Sequence, residues 1–162
     1  MTGGDPLSVA PARLDDLTAI LELEASGFSP TERWSERSWQ GELLGEGRTV
    51  LIARSYHLVG VVALQTVDRT ADLHRLVVSP QHRRARVATQ LVRAGVEAVR
   101  HLGARSVLLE VDYTNEPAIA LYQRLGFEQL AARQNYYGPG QHALILKLWD
   151  LTKPVVLTEV ER

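Results

Sequence analysis

Three groups of residues have types and spacings that could carry chemistry. The first is the stretch Val77-Val78-Ser79-Pro80-Gln81-His82-Arg83-Arg84-Ala85-Arg86-Val87-Ala88-Thr89. It reads as a strand end passing through a basic turn into a helix N-terminus. Backbone N–H groups there lack intrahelical acceptors, the helix dipole favours negative charge, and arginines add charge-assisted bonds. The segment suits an anionic ligand such as a phosphate; a solvated basic turn is the alternative. The second is Glu110, within the apolar run Val107-Leu108-Leu109-Glu110-Val111. A carboxylate in such a run needs a partner or water, and partial burial would make it a better proton acceptor. The alternative is a structural glutamate bonded to a neighbouring arginine or tyrosine. The third is Tyr122, four residues after Ala118 and so on the same helix face. Its hydroxyl could donate a proton, or merely close a hydrogen bond in the core. Asn115 suits a helix N-cap, a ligand contact, or both. His74 and His82 have no third ligand at sensible spacing, so no metal site is expected.

The chain around these residues has 162 residues, enough for one domain with one core. Its 45% hydrophobic and 23% charged residues are ordinary for a globular protein. No run of eighteen apolar residues marks a membrane span, and the first residues show no leader pattern. Cysteine is absent. That removes disulfides, thiolate nucleophiles and sulfur-bound metals, and a cytoplasmic setting is expected. A net charge of −1 argues against direct nucleic-acid binding. The balance hides a local bias: residues 83–86 read RRAR, whereas Glu110, Asp112 and Glu116 crowd a later segment. An anionic ligand at the first and a cationic one near the second would fit.

The elements that must position these groups are readable from periodicity and punctuation. Residues 1–7 read as a flexible end, with Leu7 to Ala10 a short edge strand. Leu14, Leu17, Ile20, Leu21 and Leu23 recur at helical spacing up to Gly27. Trp34 to Leu44 is a second predicted helix, with Ser35 as N-cap. Strands are predicted over Thr49–Arg54, Leu58–Val67 and Ala71–Val78, as an antiparallel meander. Arg86 to Leu102 is the strongest predicted helix, with an apolar stripe of Val87, Leu91, Ala94, Ala98 and Leu102 widened by Val99. A strand over Ser106–Asp112, a helix over Asn115–Leu125, and strands over Phe127–Tyr136 and His142–Leu148 follow. Residues 151–162 read as a final strand or tail. The expected fold is α/β (α+β): a mixed, mostly antiparallel sheet of six to seven strands flanked by about four helices. Such a sheet splays where a parallel and an antiparallel neighbour meet, and that opening suits a ligand.

The Val77–Thr89 segment resembles the coenzyme-A loop of the GNAT superfamily of N-acetyltransferases. That pattern is Gln or Arg, two variable residues, Gly, one variable residue, then Gly or Ala. Arg83 and Ala88 match its ends, and Arg86 stands where glycine is usual. Leu73 to Pro80, Leu109-Glu110-Val111, Asn115-Glu116-Pro117-Ala118, Ala120-Leu121-Tyr122 and Gly126-Phe127 resemble other parts of the superfamily core. Trp34-Ser35-Glu36 and Arg133-Gln134-Asn135-Tyr136-Tyr137 resemble a narrower group, the RimI-type protein N-α-acetyltransferases, and the likeness spans roughly residues 8–150.

The resemblance implies acetyl-CoA as cosubstrate, with no metal. It is implied to be held by Leu76, Val77, Val78, Arg83, Arg84, Arg86, Val87, Ala88, Thr89, Asn115 and Ala118. The implied acceptor is the N-terminal α-amine of a protein, a small-subunit ribosomal protein, bound near Trp34, Tyr136 and Tyr137. Glu110 is then implied as general base and Tyr122 as general acid, in a monomer or weak dimer. Tyr136 and Tyr137 are consecutive, so at most one is expected to face the cleft. A small-molecule amine acetyltransferase would share these features, and a coenzyme-A-binding sensor without turnover would share the loop alone.

Overall fold

The computed structural model of the chain describes residues 7–83 and 86–151. Arg84 and the 152–162 segment, both assigned roles above, lie outside the described residues, as do residues 1–6. Seven strands form one sheet: β1 (Ser8–Pro11), β2 (Arg48–Ser55), β3 (His57–Val67), β4 (Thr70–Val78), β5 (Ser106–Asp112), β6 (Glu128–Gly138) and β7 (Gln141–Leu148), in the order β1-β2-β3-β4-β5-β7-β6. Four α-helices accompany it: α1 (Leu17–Gly27), α2 (Glu36–Leu44), α3 (Val87–His101) and α4 (Glu116–Arg124). The expected class, strand number and helix number all hold.

The helix boundaries have local causes. Ser35 caps α2 by accepting from the Ser38 N–H at 3.0 Å. Asn115 caps α4 by accepting from the Ala118 N–H at 3.3 Å, and Pro117 occupies the first turn, where a missing N–H costs nothing. Gly103 and Gly126, both at φ 100°, follow α3 and α4 in a conformation other residues resist. The expected first helix starts later than its apolar spacing suggested: Leu14–Asp16 is a short 3-10 turn.

The core lies on both faces of the sheet. One cluster joins β2, β3, β5 and β7 to Val87, Leu91, Val92, Val96 and Val99 of α3 and Leu121 and Tyr122 of α4. The other packs Ile20, Leu23 and Trp39 of α1 and α2 on Val50, Ile52, Val61 and Val77. Covered on both faces, β3 is buried continuously from Leu58 to Leu64, which explains its unbroken apolar run. The α3 stripe differs from the expected one. Leu102 is exposed and Ala94 and Ala98 sit on its flank, while Val92, Gly95 and Val96 are buried. Gly95 allows the close approach: a Cβ there would lie 2.8 Å from Leu64 Cδ1.

One irregularity creates the site. β4 pairs in parallel with β5 over three residues alone, Thr70 to Asp72 against Ser106 to Leu108. Beyond them β4 continues along β3 to Val78, and β5 continues along β7 to Asp112. The two strands part, as expected where a parallel and an antiparallel neighbour meet. The register of β4 on β3 also shifts, Ala63 facing Arg75 and Leu64 facing Leu73, which leaves His74 as the extra residue of a bulge.

Candidate active site

At the opening between β4 and β5, successive amides of β4 point to opposite edges. The Ser79 N–H donates to Val59 O at 2.8 Å, toward β3. The N–H groups of Leu76 and Val78 therefore point into the gap. A cavity of about 770 Å³ occupies this place, a size suited to a small-molecule ligand. Its walls include Leu76, Val77, Val78, Arg83, Arg86, Val87, Ala88, Thr89, Asn115 and Ala118. Every residue expected to hold the cofactor, apart from the undescribed Arg84, thus meets at one cavity.

Two helix starts converge there. In α3 the first i→i−4 bond runs from Gln90 N–H to Arg86 O at 3.0 Å, so the amides of Val87, Ala88 and Thr89 precede the ladder. The α4 start brings Asn115, Pro117 and Ala118. With Arg83, Arg86 and Arg124 also on the wall, the cavity is suited to phosphate groups. Arg86 is left-handed, at φ 64° and ψ 15°. A right-handed helical conformation would have let an arginine replace glycine without strain; instead this position has the backbone that favours glycine.

The cavity has further walls that were not among the residues expected to hold the cofactor: Gly27, Phe28, His82, Pro117, Leu121 and Arg124. Three of them had a signal, since Pro117, Leu121 and Arg124 follow helical i, i+4, i+7 spacing beside Ala118. Gly27 and Phe28 reach the cavity by tertiary packing and had no local pattern; their one signal was the family resemblance, which implies the loop after the first helix as a wall of the acceptor site. A Cβ on Gly27 would stand 3.0 Å from Val77 Cγ1.

Glu110 lies on the open face of β5, its side chain 34% exposed. On β5, Val107, Leu109 and Val111 are buried and Glu110 points the other way, exposed. Arg133 Nη1 donates to its Oε1 at 3.0 Å. Tyr136 and Tyr137 join this group. The Tyr136 hydroxyl is pushed above its ordinary value by its hydrogen bond to Glu110 and by that charge. Burial pushes Tyr137 up, with Glu110 adding to it. The two rings meet edge to face, centroids 5.0 Å apart, so simple strand alternation does not separate them, and neither is among the cavity's lining residues. Asn135 at φ 56° and the lost register between Arg133 and Gly138 break the alternation. Asp112 is lowered by hydrogen bonds from the Thr114 hydroxyl and N–H, at 2.6 and 2.8 Å.

Tyr122 lies beneath the cavity, 6% exposed, its ring 5.5 Å from Phe127. Burial pushes its hydroxyl well above the ordinary tyrosine value, so it stays protonated near neutral pH. Its helix neighbours Ala118 and Leu121 line the cavity, and Tyr122 is not among the lining residues. Trp34 stands apart from the Tyr136–Tyr137 pair in its contacts: it packs on Trp39 at 5.0 Å and its N–H donates to Glu24. Among the described residues no group of three metal-binding side chains occurs, and no helix is long and apolar enough to cross a membrane.

Comparison with known proteins places this geometry. The model of the Acetyltransferase (GNAT) family matches residues 14–127. A candidate [ribosomal protein bS18]-alanine N-acetyltransferase of Bacillus subtilis (strain 168) is 32% identical over 142 residues, 86% of this chain and 93% of that protein. The N-alpha-acetyltransferase RimI of Mycobacterium tuberculosis (strain ATCC 25618 / H37Rv) is 28% identical over 138 residues, 82% of this chain and 85% of its own length. The crystal structure of the ribosomal-protein-S18-alanine N-acetyltransferase from Escherichia coli superposes with a TM-score of 0.82 at 24% identity, covering 94% of this chain and 99% of that one, a likeness of fold. Acetyltransferases of this family use acetyl-CoA. The chain belongs to the acetyltransferase (GNAT) family, and within it resembles the RimI-type N-acetyltransferases.

Proposed function

We propose that this protein transfers the acetyl group of acetyl-CoA to the N-terminal α-amine of a protein. The name of its Bacillus subtilis relative, which specifies ribosomal protein bS18, supports a small-subunit ribosomal protein as acceptor. The observation that carries the reading is the parting of β4 and β5 at the point where two free β4 amides and two helix N-termini face one cavity.

In this reading the α3 start, Arg83, Arg86 and Arg124 bind the pyrophosphate end of acetyl-CoA. The amides of Leu76 and Val78 hold the pantetheine arm as a neighbouring strand would, one of them polarising the thioester carbonyl. The acceptor amine attacks that carbonyl carbon; the C–N bond forms and the C–S bond breaks. Glu110, directly or through water, takes the proton lost by nitrogen, and Tyr122 gives a proton to the departing sulfur. An α-amine has a reference pKa of about 8, so a carboxylate is a sufficient base near neutral pH. The Tyr136–Tyr137 pair beside Glu110 forms part of the acceptor wall. A cytoplasmic monomer or weak dimer belongs to the same reading.

The test is incubation with acetyl-CoA and three acceptor sets: peptides with free N-termini, N-blocked peptides carrying lysine, and small amines. Mass fragmentation should place the acetyl group on the α-amine. Predominant lysine or small-amine products would overturn the acceptor assignment, and no product from any set would overturn the activity.

A further inference from the structure

Glu24, in α1, is a carboxylate with 1% of its surface exposed. Its contacts reach three other parts of the chain. It accepts from the Trp34 N–H at 2.8 Å, from Trp39 Nε1 at 3.1 Å and from the Arg75 guanidinium, whose Nε lies 3.4 Å from Oε1. Arg75 also donates to Glu32 O at 2.9 Å. Its guanidinium carbon lies 3.7 Å from the Phe28 ring centroid and 5.0 Å from that of Trp34.

These contacts converge on one segment. Residues 28–35 join α1 to α2 without helix or strand of their own. Phe28, Glu32 and Trp34 are all tied to the one Arg75–Glu24 pair. The pair lies behind the cavity wall without lining it: Arg75 directly precedes Leu76, Val77 and Val78 and stacks on Phe28, and those four residues line the cavity. A buried ion pair is a poor source of stability, since apolar residues of similar volume do as well. What this pair supplies is one geometry, because each hydrogen bond fixes a direction that packing alone does not.

We propose that Arg75 is a positioning residue for the acceptor: with Glu24 it holds residues 28–35 in place as a preformed wall across the cavity from α4. This rests on the acetyl-transfer reading above. Preforming the wall removes an ordering cost from acceptor binding, so its loss falls on the acceptor more than on acetyl-CoA, whose proposed contacts lie mainly on β4 and the starts of α3 and α4. The ion pair balances its own charge, so the wall meets the acceptor with the Phe28 and Trp34 rings instead of a net cation.

The test uses a double variant, Glu24→Gln with Arg75→Met, alongside Arg75→Lys. The introduced glutamine would keep one acceptor oxygen, for one of the two tryptophan N–H groups, and the methionine would fill the arginine's volume, so the double variant avoids an unpaired buried charge. Its melting temperature is checked first, and acetyl-CoA affinity is measured by calorimetry. Acceptor KM, kcat and hydrogen exchange over residues 28–35 are then compared with wild type. We expect acceptor KM to rise about tenfold in the double variant, with acetyl-CoA affinity held within about twofold. Exchange over 28–35 should quicken while β3 and α3 stay protected. Arg75→Lys, which can still pair with Glu24, should recover part of the acceptor KM. Unchanged exchange over 28–35, unchanged acceptor KM, or equal losses for both substrates would overturn the proposal. If wild type acetylates no amine, the acetyl-transfer reading fails separately, and unchanged exchange would then overturn the ordering role by itself.

Discussion

Arg133 Nη1 stands 3.0 Å from Glu110 Oε1, so the carboxylate proposed to take the acceptor's proton already faces a cation. Both side chains are open to solvent, 51% and 34% exposed, and an exposed pair of this kind contributes about 0–1 kcal/mol. An incoming ammonium can displace Arg133 at little cost. The fold therefore depends little on the Glu110–Arg133 pair.

Glu110→Gln should leave the melting temperature almost unchanged and lower kcat/KM by roughly tenfold to a thousandfold at neutral pH. The deficit should shrink as pH rises past about 8, because more of the α-amine then arrives neutral. The pH–rate profile of the folded variant checks this. Near-normal activity between about pH 6 and 8 would leave Glu110 a purely structural partner of Arg133.

Arg86 gives a prediction in the opposite direction on stability. Its left-handed backbone costs an L-residue roughly 1–2 kcal/mol that glycine does not lose. Arg86→Gly should raise stability by about 1 kcal/mol, or about 2–4 °C in a chain of this size. It also deletes a cation from the cavity wall, so acetyl-CoA binding should weaken less as salt is added than in wild type. Thermal melts and calorimetry at two salt concentrations read both effects. A lower melting temperature would show that the arginine's own contacts outweigh the strain.

The sequence announced the elements better than the directions their side chains take. Helix and strand limits fell within a few residues because Ser35, Asn115, Pro117, Gly103 and Gly126 are local punctuation. The outward turn of Glu110 was implicit in Val107, Leu109 and Val111, but Leu108 made the run look buried throughout. Arginine has no preference for a left-handed backbone, so the one mark of it at Arg86 was its place where the family pattern has glycine. Asn135 broke the alternation that separated Tyr136 from Tyr137 on paper. Phe28 reaches the cavity, and Arg75 the segment that carries it, through contacts 43 to 51 residues apart in the chain, such as Arg75 with Glu32 and Glu24, which no local pattern encodes.

Asn115 combines a structural and a binding role that two substitutions can separate. Its side chain caps α4 and also lines the cavity. Asn115→Ala should cost about 0.5–2 kcal/mol of stability and weaken acetyl-CoA binding. Asn115→Ser restores a capping oxygen without the amide N–H donors. It should recover most of the stability; recovered affinity as well would show that the cap alone mattered to binding. Melting curves beside acetyl-CoA titrations distinguish the two.

Tyr122 offers the sharpest separation of chemistry from packing. Tyr122→Phe keeps the ring against Phe127 and should lower kcat with little change in acetyl-CoA affinity. The defect should shrink with an acyl donor whose thiol leaves more readily, because such a sulfur needs less help from an acid. The pH dependence of stability gives an independent check. Burial raises the folded-state value of this hydroxyl above the 10.0 of an ordinary tyrosine, so the unfolded chain releases that proton first. The resulting contribution to stability is fully present below about pH 10 and is lost as pH climbs from there toward the folded-state value. Tyr136 and Tyr137 are raised as well and add their own alkaline losses, which remain in the variant. Wild type should therefore lose stability more steeply than Tyr122→Phe above about pH 10, and the two curves should run parallel below it. Parallel curves throughout would mean the hydroxyl is solvated in the folded protein, and a full kcat in Tyr122→Phe would remove it from the proton path.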